Sequence, residues 1–304
     1  IYQISTMDRS KGLSSAWMYT LGIFLAVFVP KLIIVIVMFG EDIVRTVIGL
    51  INSVFSRSQG FSLPERRKFL STIALGLAAI PFAALLYGMY RGKYRYRVLK
   101  YQLEFDDLPK AFDGYRITQV SDIHSGSFDN HDKVAYGVNL INEQKGDVIL
   151  FTGDLVNNVA AEMKDYKGLF AGLMARDGVY SVLGNHDYGD YVDWDSAEAK
   201  EKNLDELKDL ERAMGWDLLL NENRKIEKDG QAIHIVGVEN WGAGFKQVGD
   251  LDKASRGLTP DDFKILMSHD PSHWQQRVKD DPRHFQCLLF ENDRLRVVLQ
   301  GGNR

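Results

Sequence analysis

The chain has 304 residues, a formal net charge of −4 and a single cysteine, Cys287. That length exceeds an ordinary single domain and suits a membrane region followed by one soluble domain. The charge balance offers no basic domain for nucleic acid, and a lone cysteine excludes an intrachain disulfide framework and a thiolate zinc cluster.

Composition changes sharply near Tyr101: two long apolar runs lie before it, and charged residues recur every few positions after it. Residues 1–100 are therefore expected to form a membrane region and residues 101–304 a soluble domain. The first residue is Ile1, as expected of a sequence that starts inside a longer protein.

The first run, residues 17–39, contains Pro30 and Lys31 and is long enough to cross about 30 Å of hydrocarbon as a helix. A lysine near the centre of such a helix costs about 2.5–3.5 kcal/mol, which apolar neighbours offset, and it can snorkel. The second run, residues 69–90, holds Pro81, tolerated where neighbours satisfy the freed carbonyl. A pair of buried core helices is the alternative, but apolar runs this long are uncommon in soluble domains. Between the runs, Ile43, Val44, Val47, Ile48, Ile51, Val54 and Phe55 recur at helical spacing. This amphipathic stretch fits the membrane surface or packing against other helices. Basic residues flank the second run on both sides, so the positive-inside rule leaves its orientation open. The stretch Glu65-Arg66-Arg67-Lys68-Phe69-Leu70 is similar to a twin-arginine export signal. Ordinary basic flanking of a membrane helix accounts for it equally.

From Tyr115 onward strands and helices alternate. Strands are expected over residues 116–120, 147–152, 179–183, 217–220, 232–238 and 264–267, and helices over 132–142, 160–174 and 197–214. Four polar clusters follow expected strands: Asp122-Ile123-His124, Gly153-Asp154, Gly184-Asn185-His186-Asp187 and Ser268-His269-Asp270. Sites in α/β sheets gather at the carboxyl ends of strands. Asp and His are ligands for divalent metals of intermediate hardness. On an extended backbone the Asp-x-His spacing returns both side chains to one face. A carboxylate such as that of Asp154 has two oxygens and can bridge two metals, and an asparagine carbonyl is a neutral ligand. Two metals about 3.5–4 Å apart bind a phosphate and lower the pKa of a bridging water. A nearby unligated histidine, here His186, can protonate a leaving group.

The ordered set resembles the calcineurin-like metallophosphoesterases, whose pattern runs Asp-x-His, Gly-Asp, Gly-Asn-His-(Asp/Glu), a later His and then Gly-His-x-His. The apolar N-terminal region and the Arg-Arg-x-Phe-Leu stretch are similar to the membrane-associated bacterial branch. The resemblance covers roughly residues 115–275. It implies an α/β fold, a metallophosphoesterase-like α/β/β/α sandwich with two mixed sheets, preceded by transmembrane helices. It also implies metal-dependent hydrolysis of a phosphate monoester or diester, lipid-linked substrates included, by a metal-activated hydroxide. Asp122 and His124 would hold the first metal, Asp154 would bridge, and Asn185 and His269 would hold the second. His186 would act on the phosphate and Asp187 would orient it. The implied cofactors are two divalent ions (Mn, Fe, Zn or Mg). The implied partners are a phosphate-ester substrate and the membrane, with the chain in a bacterial inner membrane; the export-like stretch, where it acts as such a signal, would place the catalytic domain outside the cytoplasm.

One departure stands out. Residues 285–304 contain no histidine, so the Gly-His-x-His motif is missing. The sandwich is therefore expected to be C-terminally incomplete, truncated or altered after about residue 285. His273 and His284 lie nearby but lack the paired spacing. His131 is expected in a polar loop or helix cap, and His234 as a structural strand residue. The rival reading is an inactive membrane-anchored protein that binds a phosphate-bearing ligand or a partner through an incomplete metal site.

Overall fold

The computed structural model describes residues 15–54, 64–290 and 296–298. Phe55 and much of the stretch after Phe290 lie outside the described residues. The chain divides into two compact units, with Ala16–Arg95 in one and Tyr96–Arg304 in the other.

The first unit holds two helices, α1 (Ser15–Val54) and α2 (Pro64–Tyr90). Both are long and apolar enough to cross a membrane, with mean hydropathy reaching 2.8 and 2.2 in their most apolar stretches. Each runs unbroken through its proline, Pro30 or Pro81. The amphipathic stretch after Glu41 is not a separate element but the last turns of α1. Gly40 is the only weak helix former at that junction, and a single glycine costs only about 1 kcal/mol. At 1.5 Å per residue the 40 residues of α1 extend about 60 Å, roughly twice the hydrocarbon thickness.

The two helices are antiparallel. A Cβ added to Gly22 would lie 2.8 Å from the sulfur of Met89, near one end of the pair. Near the other end Arg66 pairs with Glu41 at 3.1 Å and Arg67 with Asp42 at 3.3 Å. Ala26, Ala74 and Ala78 are buried; small residues let membrane helices approach closely. The paired arginines of the export-like stretch thus have acidic partners on α1.

The second unit contains β1 (Leu99–Tyr101), β2 (Ile117–Val120), α3 (His131–Glu143), β3 (Val148–Phe151), α4 (Lys167–Phe170), β4 (Val179–Ser181) and α5 (Ala197–Ala213). It continues with β5 (Asp217–Leu218), β6 (Glu222–Lys228), β7 (Gln231–Gly237), α6 (Leu251–Ala254), β8 (Lys264–Met267), β9 (Cys287–Leu289) and β10 (Arg296–Val298). One sheet has the order β1-β10-β2-β3-β4-β5 and the other β6-β7-β8-β9. Neighbours from β2 to β5 are parallel, while β10 runs antiparallel to β2. In the second sheet β7, β8 and β9 are parallel and β6 is an antiparallel edge.

Alternation along the strands builds the layers. Val148 and Leu150 of β3 join Ile117, Ile233, Ile235, Ile265 and Met267 in a core shared by the two sheets. The opposite face of β3 places Phe151 5.3 Å from Trp216, which Phe170 of α4 meets at 6.5 Å (ring centroids). The outer face of the second sheet packs Val236 and Leu266 against Leu251 and Ala254 of α6. This is the two-sheet sandwich expected from the sequence.

Three details differ. The helix expected over 160–174 is a short turn, Ala160–Met163, followed by the brief α4. Gly168 and Gly172 fall in that range, and each disfavours a helix by about 1 kcal/mol. Strand β6 was not expected, because a polar edge strand with Ile226 as its single apolar residue lacks an apolar pattern. Its signal is Asp229-Gly230: with φ of 50° and 74° the pair makes the two-residue turn of a hairpin to β7. Finally, β9 lies in the stretch that departs from the family pattern, yet pairs with β8 through Ile265–Cys287, Leu266–Leu288 and Met267–Leu289.

Candidate metal centre

Each polar cluster begins within four residues of a strand end: β2 before Asp122 and His124, β3 before Asp154, β4 before Asn185, β8 before His269. The loops after β2 and β3 are zipped together. Asp122 N–H donates to Gly153 O, His124 N–H to Asp154 O and Ser125 N–H to Leu155 O, each at 3.0 Å. Asp122, His124 and Asp154 have φ of 54°, 45° and 61°. The expected extended Asp-x-His segment is therefore a pair of left-handed turns. An extended strand would send successive N–H groups to opposite sides; the left-handed residues help direct all three onto the neighbouring loop. Asp and His enter this region more readily than most residues, at a cost of order 1–3 kcal/mol each.

Two glycines make the approach possible. Gly153 has φ 104°. A Cβ on Gly184 would sit 2.2 Å from Asp154 Oδ1 and 2.6 Å from its nitrogen.

Asp187 is fully buried. Its carboxylate accepts N–H bonds from Gly184 (2.8 Å), Asp154 (2.9 Å), Leu155 (2.8 Å) and Val156 (3.3 Å). Burial, then the charge of Asp154, push Asp187 up to about 7, against the backbone bonds from Gly184 and Val156. The contacts correct the expected role: Asp187 holds the loop that carries Asp154, and the ring of His186 is fixed elsewhere. His186 Nδ1 lies 2.7 Å from Asn157 O. A carbonyl oxygen only accepts, so Nδ1 carries the hydrogen and Nε2 is left for the site. The ring stands edge-on to His124, with centroids 4.8 Å apart.

Asp154 Oδ2 lies 3.5 Å from His124 Nε2 and 3.4 Å from His269 Nε2. His124 Nε2 is 3.6 Å from Asp122 Oδ1, and His269 Nε2 is 3.0 Å from Asn185 Oδ1. Two triads of ligand atoms form, His124–Asp154–His186 and Asp122–Asp154–His269, each with its atoms within 4.8 Å of one another. Asp154 belongs to both. Ligands about 2.0–2.2 Å from one ion, at tetrahedral or octahedral angles, are about 3.0–3.5 Å apart, close to the spacings here. His269 Nδ1 lies 2.9 Å from Thr152 O, so Nδ1 carries a hydrogen. Nε2 then faces two oxygens, and only a proton or a cation resolves that arrangement. Burial alone would lower the pKa of His269, but the hydrogen bond and charge of Asp154, then the charge of Asp122, push it up to about 9. The mixed oxygen and nitrogen set fits a divalent metal ion.

The other histidines stay apart from both triads. His273 is buried, with Nδ1 2.9 Å from Ser268 Oγ and its ring 5.3 Å from Trp241. Burial, then Arg277, push it down to about 4. His131 opens α3 behind the Asn130 cap, His234 lies in β7, 3.6 Å from Asp262, and His284 follows a turn at Asp281. One site residue is new. Tyr191 OH accepts a hydrogen bond from Asn185 Nδ2 at 2.7 Å, and its ring lies 4.4 Å from that of His186. Its sequence signal is only its place four residues past Asp187.

Comparison with known proteins identifies the family of the chain. Residues 115–302 match the calcineurin-like phosphoesterase family, and residues 1–93 match a domain described as "Probable Calcineurin-like phosphoesterase, transmembrane domain". A Danio rerio "Transmembrane protein with metallophosphoesterase domain" is 26% identical over 216 residues, covering 68% of this chain and 46% of that protein. An uncharacterized metallophosphoesterase of Bacillus subtilis is 28% identical over 214 residues, covering 68% and 70%. The chain spans about half the length of the vertebrate relatives it matches. A crystal structure of phosphopantetheinyl hydrolase from Mycobacterium tuberculosis matches 62% of the chain and 90% of its own at 12% identity, with a TM-score of 0.37, too low to bear on the site. The chain belongs to the calcineurin-like phosphoesterase family, and residues 1–93 ahead of that domain match the family's transmembrane region.

Proposed function

We propose that this protein hydrolyses a phosphate ester at a membrane surface with two divalent ions. The observation that carries the reading is the position of Asp154, whose Oδ2 lies between His124 Nε2 and His269 Nε2 at 3.5 and 3.4 Å. Asp122, His124 and Asp154 would hold one ion, supported by His124 Nε2 at 3.6 and 3.5 Å from Asp122 and Asp154, and Asp154, Asn185 and His269 the other, although Asp122 also groups with His269 and His124 with His186. Bound there, the ions would supply the charge that holds a phosphate and lowers the pKa of a water. His186, fixed through Asn157, directs Nε2 at the same space, where it bonds a phosphoryl oxygen or gives a proton to the leaving oxygen. Attachment through α1 and α2 favours a substrate at the bilayer, such as a phospholipid head group or a nucleotide-linked lipid.

A second reading rests on a specific observation: residues 285–304, where the family pattern places its last motif, contain no histidine. The family's last motif would add a ligand to each ion, and without it the same pocket serves binding rather than turnover. Metal content and hydrolysis of bis(p-nitrophenyl) phosphate, measured on the full chain in detergent, separate the two. Two ions per chain, with turnover abolished in D154N, support the enzyme. Metal near zero and no turnover put the binding reading first.

A further inference from the structure

We propose that Tyr191 is a positioning residue for the metal centre: its phenol oxygen supplies the acceptor that lets Asn185 turn its carbonyl oxygen toward the ligand cluster. The inference rests on the two-metal reading and deepens it.

The side-chain amide of Asn185 has two ends of similar shape and opposite use. Oδ1 has lone pairs to give a metal, whereas Nδ2 carries two hydrogens. Oδ1 lies 3.0 Å from His269 Nε2, and Nδ2 donates to Tyr191 OH at 2.7 Å. Asn185 is buried, at 9% exposure, so solvent offers Nδ2 little alternative. If Tyr191 lacked its oxygen, Nδ2 would lose this acceptor, and a flip of the amide that turns Nδ2 toward Asp154 and His269 would withdraw Oδ1 from the cluster.

The loop is built to deliver that oxygen. Gly189 has φ 65° and turns the chain back after the motif. Trp194 Nε1 donates to Gly189 O at 2.7 Å and pins the turn. The Tyr191 ring then packs on His186, at 33° and 4.4 Å. Tyr191 itself is 49% exposed, so removal of its oxygen opens no buried cavity. Partners outside a metal's ligand set commonly contribute about 10–100-fold to its affinity.

The test is a four-protein Mn2+ titration by calorimetry on the full chain in detergent: wild type, Y191F, N185D and the double variant. A carboxylate at position 185 has no N–H to satisfy, so the need for Tyr191 disappears with N185D. The expected result is that Y191F weakens one of two Mn2+ sites about tenfold or more, while adding Y191F to N185D changes affinity less than about threefold. Equal affinities for wild type and Y191F would overturn the role of Tyr191 and leave the metal centre standing. An equal loss in both backgrounds would also overturn it, because the tyrosine would then act on the loop and not on the amide. Absence of Mn2+ binding by the wild type would overturn this proposal together with the two-metal reading.

Discussion

Asp187 accepts the backbone N–H of Asp154 at 2.9 Å, tying the end of the Gly-Asn-His-Asp motif to the residue at the centre of the ligand cluster. Three more N–H groups, from Gly184, Leu155 and Val156, point at the same carboxylate. Removing it leaves four buried donors unpaired. D187A is expected to cost about 3–5 kcal/mol and to weaken metal binding at least tenfold. Urea unfolding and metal titration measure the two effects; a D187A protein as stable as wild type would rule out the clamp.

Gly184 sets how closely Asp154 can approach. With a Cβ only 2.2 Å from Asp154 Oδ1, G184A forces the carboxylate aside. The expected outcome is near-complete loss of bound metal together with a clear loss of stability, because the Cβ would also lie 2.6 Å from the backbone nitrogen of Asp154 and the loop itself must shift. Metal analysis of the purified variant checks it, and full metal occupancy would count against the geometry.

His269 couples stability to pH in chelator-treated protein. Its pKa is raised from 6.5 to about 9, so between those values the folded form binds more protons than the unfolded chain. The contribution is complete below about pH 6.5 and is lost as pH rises toward 9. Metal-free protein is therefore expected to melt several degrees lower at pH 9 than at pH 6.5, with H269N flattening the slope. Metal binding has the opposite sign: the proton must leave Nε2, so affinity climbs as pH rises.

Glu211 of α5 adds to the same slope. It is fully buried, and burial followed by the charge of Asp187 pushes it up to about 8. The neutral acid is favoured in the fold, so its contribution is lost as pH climbs from about 4.5 to 8. E211Q is expected to match wild type near pH 5 and to exceed it at pH 8. Thermal melts at the two values decide it.

Much of this architecture is legible in the sequence because it rests on patterns that sequence records. Buried strands such as Val148–Phe151 read as apolar runs, and the four polar clusters stand close behind strand ends. The backbone state of Asp122 and His124 was not legible, since left-handed turns there follow from pairing with the loop after β3, a long-range contact. The role of Asp187 is hidden for the same reason: three of its four partners are backbone amides in the loop after β3, and nothing in Gly-Asn-His-Asp names them. Tyr191 reaches Asn185 only through the Gly189 turn.

The most direct test of a shared Asp154 is the electron paramagnetic resonance spectrum of the Mn2+-loaded full chain. Two ions bridged by one carboxylate, about 3.5–4 Å apart, give an exchange-coupled spectrum that D154N reduces to that of isolated ions. A wild-type spectrum of isolated Mn2+ alone, at full loading, would contradict a bridged two-metal centre.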